Sequence, residues 1–167
     1  MREKMGLRPV DPIDPAEICT HFGISLYRLS DIDPTSAFLG PGQSSFSAVT
    51  VPCGGDTAIV HNNSHHHYRQ RSNICHELAH CFLGHKCTPP LTEEGERVRD
   101  GSIEAEANFL GGAILLPNEA AIHILQNGLM SQAQQLYGVS GPMLQYRLRV
   151  SGANQIFERS LRRAAAV

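Results

Sequence analysis

The chain has 167 residues, of which 41% are hydrophobic and 18% charged, and its formal net charge is −2. A chain of this size and apolar content is expected to form a globular core without disulfides, so the composition excludes a disordered protein. No apolar stretch reaches the roughly 18 residues of a membrane span, and the first residues lack the apolar core of a secretory signal, so we expect a cytoplasmic protein with no membrane partner.

The first half of the chain predicts a helix, a strand and a hairpin. Residues 14–22 are expected to be a short helix, because Pro15 suits the first turn of a helix. A strand follows over residues 24–29. Two β-branched runs, at residues 46–51 and 57–62, are separated by residues typical of turns, which predicts an antiparallel hairpin.

The second half is predicted to be mainly helical. A helix near residues 69–83 ends at Gly84, a residue that suits a helix terminus. Residues 86–101 have the composition of an exposed loop. A second long helix is expected from Ser102 to Leu116, followed by two or three short helices.

The strongest chemical signal is at residues 76–80, which read His-Glu-Leu-Ala-His. Residues four apart lie on one face of a helix, so His76 and His80 can bind one zinc ion. Glu77 can reach the open side of the metal and act as a general base toward water. A structural helix with a surface histidine pair is the alternative, but a helix start, an apolar helix face and a candidate for a third ligand all favour the zinc site. A purely structural zinc site is a further alternative, but it would need no base such as Glu77.

A catalytic zinc site needs a third protein ligand. The candidates are His85, Glu104, Glu106 and one of the histidines at 65–67. If the helix continued, His85 would face away, and its spacing does not fit the metzincin pattern. Consecutive histidines in an exposed loop do not easily converge on one ion. Glu104 and Asn108 share a helix face, whereas Glu106 lies about 200° from Glu104 and should point to solvent. We therefore predict Glu104 as the ligand and Asn108 as the group that orients a histidine.

The sequence resembles the ImmA/IrrE family of zinc metallopeptidases. Residues 69–85 are similar to the arginine-led H-E-L-x-H helix of that family, and residues 104–117 to its E-x-E-A-N block, which ends in an aliphatic run and a proline. The resemblance covers roughly residues 10–150. It implies that the zinc ligands are His76, His80 and Glu104 and that the catalytic base is Glu77. The chain departs from the pattern at residues 110–112, where Leu-Gly-Gly replaces the usual aromatic residue and two alanines.

The resemblance also implies a function and a fold. Family members are typically cytoplasmic endopeptidases that inactivate a helix-turn-helix repressor, so a DNA-binding repressor is the expected substrate. We expect an α+β, zincin-like fold with a small antiparallel sheet packed on the zinc-binding helix and a second long helix. Residues 1–120 would form the metallopeptidase domain, and residues 121–167 a helical, helix-turn-helix-like extension of the same compact unit. The strand at residues 58–62 is expected to hold an extended substrate by β-addition.

The C-terminal region supports a rival interpretation. Residues 141–167 hold five arginines against one glutamate, whereas residues 1–140 hold nine basic and fifteen acidic residues. Residues 133–149 read as a helix-turn-helix with a small core that includes Leu136. The chain would then be a non-catalytic, zinc-containing regulatory or DNA-binding module that contacts nucleic acid through residues 131–163. A helical hairpin that braces the catalytic domain is the simpler account, because basic residues are sparse before Arg147.

Overall fold

The computed structural model describes residues 1–85 and 101–164, so most of the predicted loop at residues 86–101 lies outside the described residues. The chain divides into two compact units. One is Pro15–Gly111, and the other combines Met1–Asp14 with Gly112–Val167. No helix in the described ranges is both long and apolar enough to cross a membrane.

The unit Pro15–Gly111 contains a three-stranded sheet. Its strands are β1 (Ile24–Arg28), β2 (Ala48–Cys53) and β3 (Asp56–His61), in the spatial order β1-β3-β2. The predicted hairpin is confirmed: β2 and β3 are antiparallel and joined at two glycines, Gly54 and Gly55, whose positive φ angles give the tight turn. β1 runs parallel to β3, so the sheet is mixed.

The central position of β3 overturns one prediction. The strand at residues 58–62 was expected to add a substrate strand, but β3 is paired on both sides and has no open edge. Strands β1 and β2 form the two edges of this sheet. Any extended peptide that joins the sheet must therefore pair with an edge strand.

Two short helices flank β1: α1 (Pro15–His21) and α2 (Leu29–Ile32). The long helix α3 (His67–Leu83) packs on β2, β3 and α1. Its buried face consists of Ile74, Cys75, Leu78 and Ala79. The helix begins two residues before the predicted start, because the side chain of His66 accepts a hydrogen bond from the Tyr68 backbone N–H. It ends at Gly84, whose φ of 66° is the left-handed conformation that glycine adopts without strain.

Helix α4 (Gly101–Leu115) lies against α3 at a glycine. A Cβ atom at Gly111 would stand 3.0 Å from the carbonyl oxygen of Cys75 and 3.1 Å from the Cα of His76. The absence of a side chain at Gly111 therefore lets the two helix backbones approach closely. This approach brings the face of α4 that carries Glu104 and Asn108 next to the histidines of α3.

The other unit is helical. It contains the last residues of α4, followed by α5 (Asn118–Gln126), α6 (Ala133–Tyr137), α7 (Gly141–Val150) and α8 (Ala153–Ala164). The N-terminal segment belongs to this unit: Arg2 donates to the carbonyl of Ile114 at 2.8 Å, and the Tyr137 hydroxyl donates to the carbonyl of Val10 at 2.9 Å.

The α+β fold class is confirmed, but details of the C-terminal helices differ from the prediction. Leu136 was expected in a small core and is 44% exposed, whereas Tyr137 is buried. Arg147, expected on a basic surface, is fully buried and donates to the Leu116 carbonyl at 2.8 Å and to Asn118 Oδ1 at 2.7 Å. It therefore joins α7 to the chain between α4 and α5.

Candidate metal centre

Three potential metal ligands converge between α3 and α4. His76 and His80 lie one helical turn apart, and their Nε2 atoms are 3.0 Å from each other. Glu104 places Oε2 at 3.4 Å from His76 Nε2 and Oε1 at 3.6 Å from His80 Nε2. These are the three ligands predicted from the sequence, and they form the only such group of metal-binding side chains among the residues that the structure describes.

The contact with Asn108 determines which ring nitrogen of His76 carries the proton. The Oδ1 atom of Asn108 lies 3.0 Å from His76 Nδ1. An amide oxygen can only accept a hydrogen bond, so Nδ1 of His76 carries the proton and donates it. The lone pair of His76 is then on Nε2, which faces the group. The contact predicted between Asn108 and a ligand histidine is present, and it orients the ring.

The side chain of His80 is more buried than that of a typical surface histidine. Burial, followed by the neighbouring His76, lowers the pKa of His80, and the nearby Glu77 and Glu104 carboxylates oppose this effect. A lowered pKa favours the neutral imidazole at neutral pH. The neutral form is the one that can bind a metal ion.

The donor set fits a zinc ion. Zinc binds histidine nitrogen at roughly 2.0–2.1 Å and carboxylate oxygen at roughly 2.0–2.2 Å with tetrahedral geometry, which separates the donor atoms by about 3.4 Å. The two Nε2 atoms are 3.0 Å apart, and each carboxylate oxygen of Glu104 lies near one of them, Oε2 at 3.4 Å from His76 and Oε1 at 3.6 Å from His80. One donor atom from each residue lies within 4.8 Å of the other two, so a small shift of the side chains would bring all three to one ion. Two imidazoles and a carboxylate also match the ligand set that a catalytic zinc uses.

Glu77 follows His76 in α3, is near enough to His80 for its charge to act on that ring, and is held by a residue of the sheet. The Thr50 hydroxyl, on β2, donates to Glu77 Oε2 at 2.7 Å. A strong bond to one carboxylate oxygen fixes the rotamer of Glu77 and leaves Oε1 for other partners. Cys81 Sγ is 3.9 Å from the same hydroxyl and is not part of the metal group.

Two of the three consecutive histidines, His65 and His66, form hydrogen bonds with other parts of the fold. His65, predicted in an exposed loop, is buried, and its two ring nitrogens lie 2.8 Å from the Gln43 carbonyl and 3.3 Å from Asn73 Nδ2. His66 caps α3 as described above. Neither residue contributes to the metal group.

The position of His85 in the structure differs from the prediction. The prediction extended the helical period to His85 and turned it away from the ligands, but α3 ends at Leu83. The left-handed turn at Gly84 brings His85 back, so that its Nδ1 lies 2.9 Å from Nδ1 of His80. Its Nε2 is 3.4 Å from Glu106 Oε2, so Glu106, although largely exposed, has a partner. Gly84 was the sequence signal for this arrangement, since a helix that stops there cannot carry His85 on its own periodicity.

Comparison with known proteins identifies the family of the chain. A protein-family model described as the IrrE N-terminal-like domain, Peptidase_M78, matches residues 19–149, a range that includes His76, Glu77, His80 and Glu104. No curated protein and no solved structure matches the chain significantly.

Proposed function

We propose that this chain, which belongs to the Peptidase_M78 family of IrrE N-terminal-like domains and is thereby related to metallopeptidases, is a zinc-dependent endopeptidase that cleaves a protein substrate. The observation that carries the proposal is the convergence of His76, His80 and Glu104 beside Glu77. This combination provides a place for a metal ion and a carboxylate that can exchange protons with water.

Each residue of the site has its own role in the proposed reaction. His76, His80 and Glu104 would hold the ion, which when bound supplies a Lewis acid for the scissile carbonyl and lowers the pKa of water to about 7. Glu77 accepts the proton of the attacking water and delivers it to the leaving amine nitrogen. Thr50 donates to Oε2 of Glu77, so we propose that Oε1 is the oxygen that takes the proton. The Thr50 hydroxyl thus fixes the base without competing for the proton.

The substrate is proposed to bind along β2. This strand is at an edge of the sheet and carries Thr50, so a peptide paired with it would pass close to Glu77. Pro52 has no N–H and therefore lies with its nitrogen away from β3, which places the Ala48 N–H on the same open side. Ala48→Pro should lower kcat/KM on a mixed peptide library and leave the zinc content unchanged. Unaltered kcat/KM would exclude pairing at this position.

The protein substrate is proposed to be a helix-turn-helix repressor, as the family resemblance implies, and the cytoplasm is the proposed place of action. The test is a comparison of new N-termini in a lysate of the source cells treated with wild type or with Glu77→Gln. We expect wild type alone to generate cuts, concentrated in one or a few DNA-binding proteins. Cuts that are spread over unrelated proteins would refute a repressor-specific enzyme.

The metal assignment is tested by elemental analysis of purified variants. Wild type and Glu77→Gln should each carry about one equivalent of zinc, because Glu77 is not a ligand. His80→Ala and Glu104→Ala should lose it. Zinc retained in Glu104→Ala would refute the proposed ligand set, and a peptidase activity that survives Glu77→Gln would refute the proposed base.

The alternative of a DNA-binding module receives less support. One of its five arginines, Arg147, is fully buried and bonded within its own unit, so it is not available to nucleic acid. We therefore retain the C-terminal helices as a structural part of the peptidase.

A further inference from the structure

Three side chains are linked by close contacts that lead away from the metal group. His80 Nδ1 is 2.9 Å from His85 Nδ1, and His85 Nε2 is 3.4 Å from Glu106 Oε2. The side chain of His85 is only 11% exposed, whereas that of Glu106 is 65% exposed. The contacts therefore lead from His80, a proposed ligand, through the largely buried ring of His85 to the exposed carboxylate of Glu106.

The carboxylate fixes the direction of these hydrogen bonds. An ionised Glu106 can only accept, so His85 Nε2 carries a proton and donates it. In a neutral His85 the other nitrogen, Nδ1, then has the lone pair and can only accept. The short contact between the two Nδ1 atoms is a hydrogen bond only if His80 Nδ1 carries the proton. The lone pair of His80 is consequently left on Nε2, the atom that faces His76 and Glu104.

We propose that His85 and Glu106 are positioning residues that keep His80 in the tautomer able to bind the metal through Nε2. The inference builds on the proposed zinc site and adds to it a role for two residues that are not ligands. Asn108 does for His76 what His85 does for His80, since each accepts from the Nδ1 of a ligand histidine. Both histidine ligands then present a lone pair to the same point, and these two lone pairs, on atoms 3.0 Å apart, repel each other unless a cation is bound. The hydrogen bonds to the two Nδ1 atoms oppose this repulsion and hold both rings ready for the ion.

The first test reads the tautomer directly in the metal-free protein. Nitrogen-15 NMR of histidine-labelled protein at about pH 8, where an ordinary imidazole is neutral, distinguishes a proton on Nδ1 from one on Nε2. We expect His80 to carry its proton on Nδ1 and His85 on Nε2 in the wild type. In Glu106→Ala and His85→Leu the Nδ1–H population of His80 should fall. A wild-type His80 with its proton on Nε2 would overturn the proposal.

The second test measures zinc affinity by competition with a chelating dye. Loss of an outer hydrogen-bond partner typically weakens metal binding by about 10–100-fold, and we expect this for Glu106→Ala and His85→Leu. Glu106→Gln retains an oxygen that can accept from His85, so it should remain close to wild type. Glu119→Ala, which removes an exposed glutamate from the other unit, is the matched control and should have no effect.

The outcomes separate this inference from the proposed function. If zinc affinity and the His80 tautomer are both unchanged in Glu106→Ala, the positioning role is wrong, whatever the activity. If His85→Leu fails to fold, Glu106→Ala still decides, because Glu106 is largely exposed. If the wild type binds zinc but hydrolyses no peptide, the proposed function fails, while the tautomer and affinity results still test the role of His85 and Glu106.

Discussion

Thr50 illustrates how one hydroxyl can hold Glu77, the proposed catalytic base, in place. Its bond to Glu77 Oε2 is short, at 2.7 Å, and joins a strand to the metal-binding helix. Thr50→Val removes the hydroxyl and keeps the shape of the side chain. A hydrogen bond to a charged group is worth about 1.5–3 kcal/mol, so kcat should fall roughly 10–100-fold. Steady-state kinetics would measure the loss, and the zinc content should stay the same.

Thr50→Ser is the matched control for this prediction. It retains a hydroxyl on the same backbone, so its kcat should lie near that of the wild type. If Thr50→Val and Thr50→Ser had equal kcat values, the hydroxyl would have no part in the reaction.

His61 should make the stability of the protein depend on pH. It is buried at the end of β3, and burial, followed by the positive charge of Arg28, lowers its pKa below the ordinary value, with Asp31 opposing. The unfolded chain therefore binds a proton more readily than the folded one. In the unfolded chain the pKa of His61 is about 6.5, and above this pH the part of the free energy of unfolding that depends on neutral His61 has its full value. It is lost as the pH falls toward the lower pKa that His61 has in the folded protein.

Urea unfolding of the metal-free protein between pH 5 and pH 8 measures this effect. The free energy of unfolding should decline more steeply below about pH 6.5 in wild type than in His61→Gln, which cannot titrate. The comparison uses slopes, so a uniform loss of stability in the variant does not affect it. Parallel curves would show that His61 contributes nothing to the pH dependence.

For single residues, the metal group could be predicted from the sequence, whereas the contacts that support it could not. The spacing of His76 and His80 within one helix, and of Glu104 and Asn108 within another, follows from helical periodicity alone. Thr50 meets Glu77 across 27 positions, and no local pattern encodes that contact. The role of His85 depends on a change of chain direction at Gly84, which periodicity by itself does not describe.

At the scale of elements, the packing of α4 on α3 depends on Gly111. Gly111→Ala would place a methyl group 3.0–3.1 Å from the backbone of Cys75 and His76. Alanine favours the helix by about 1 kcal/mol, but overpacking against backbone costs about 1–3 kcal/mol. We expect a net loss of ~1 kcal/mol in the free energy of unfolding, together with weaker zinc binding as Glu104 moves away from the histidines.

Gly101→Ala is the control for this helix. Gly101 is the first residue of α4, and a Cβ atom there would meet nothing within 4 Å among residues 1–85 and 101–164, which the structure describes. Its stability in urea and its zinc affinity should match the wild type or exceed it slightly. Zinc binding that is as tight in Gly111→Ala as in Gly101→Ala would show that the close approach of the helices is unnecessary.

The type of most elements was predictable, and their arrangement was less so. Turn residues and alternating β-branched residues marked the hairpin, and glycine marked the end of α3. Nothing in the local sequence indicates that β1 runs beside β3, because parallel pairing joins residues far apart in the chain. That pairing makes β3 central and removes it as a substrate strand, which is why the prediction for residues 58–62 failed.

At the scale of the whole molecule, the N-terminal segment is expected to stabilise the helical unit. Deletion of residues 1–10 would remove the bond from Arg2 to Ile114 and leave the buried Tyr137 hydroxyl without the carbonyl of Val10. We expect a loss of about 2–4 kcal/mol in the free energy of unfolding, measured in urea. Zinc should still bind, because His76, His80 and Glu104 belong to the other unit.

Arg8→Ala tests whether the segment acts through these particular contacts. Arg8 is exposed and pairs with Asp11 within the same segment, so its removal should change stability little. Equal losses in the deletion and in Arg8→Ala would refute the assignment. These contacts span more than 110 positions of sequence, which is why composition and periodicity did not reveal them.

The division of the chain also has a consequence for its biosynthesis. Pro15–Gly111 is continuous, so all three metal ligands leave the ribosome as part of one stretch that contains every strand of the sheet. The helical unit combines Met1–Asp14 with residues that follow Gly111, so its first segment must wait for helices that are translated after the whole of Pro15–Gly111. Because units of a chain fold as they emerge, the nascent protein is expected to acquire the proposed metal site before the two segments of the helical unit have met.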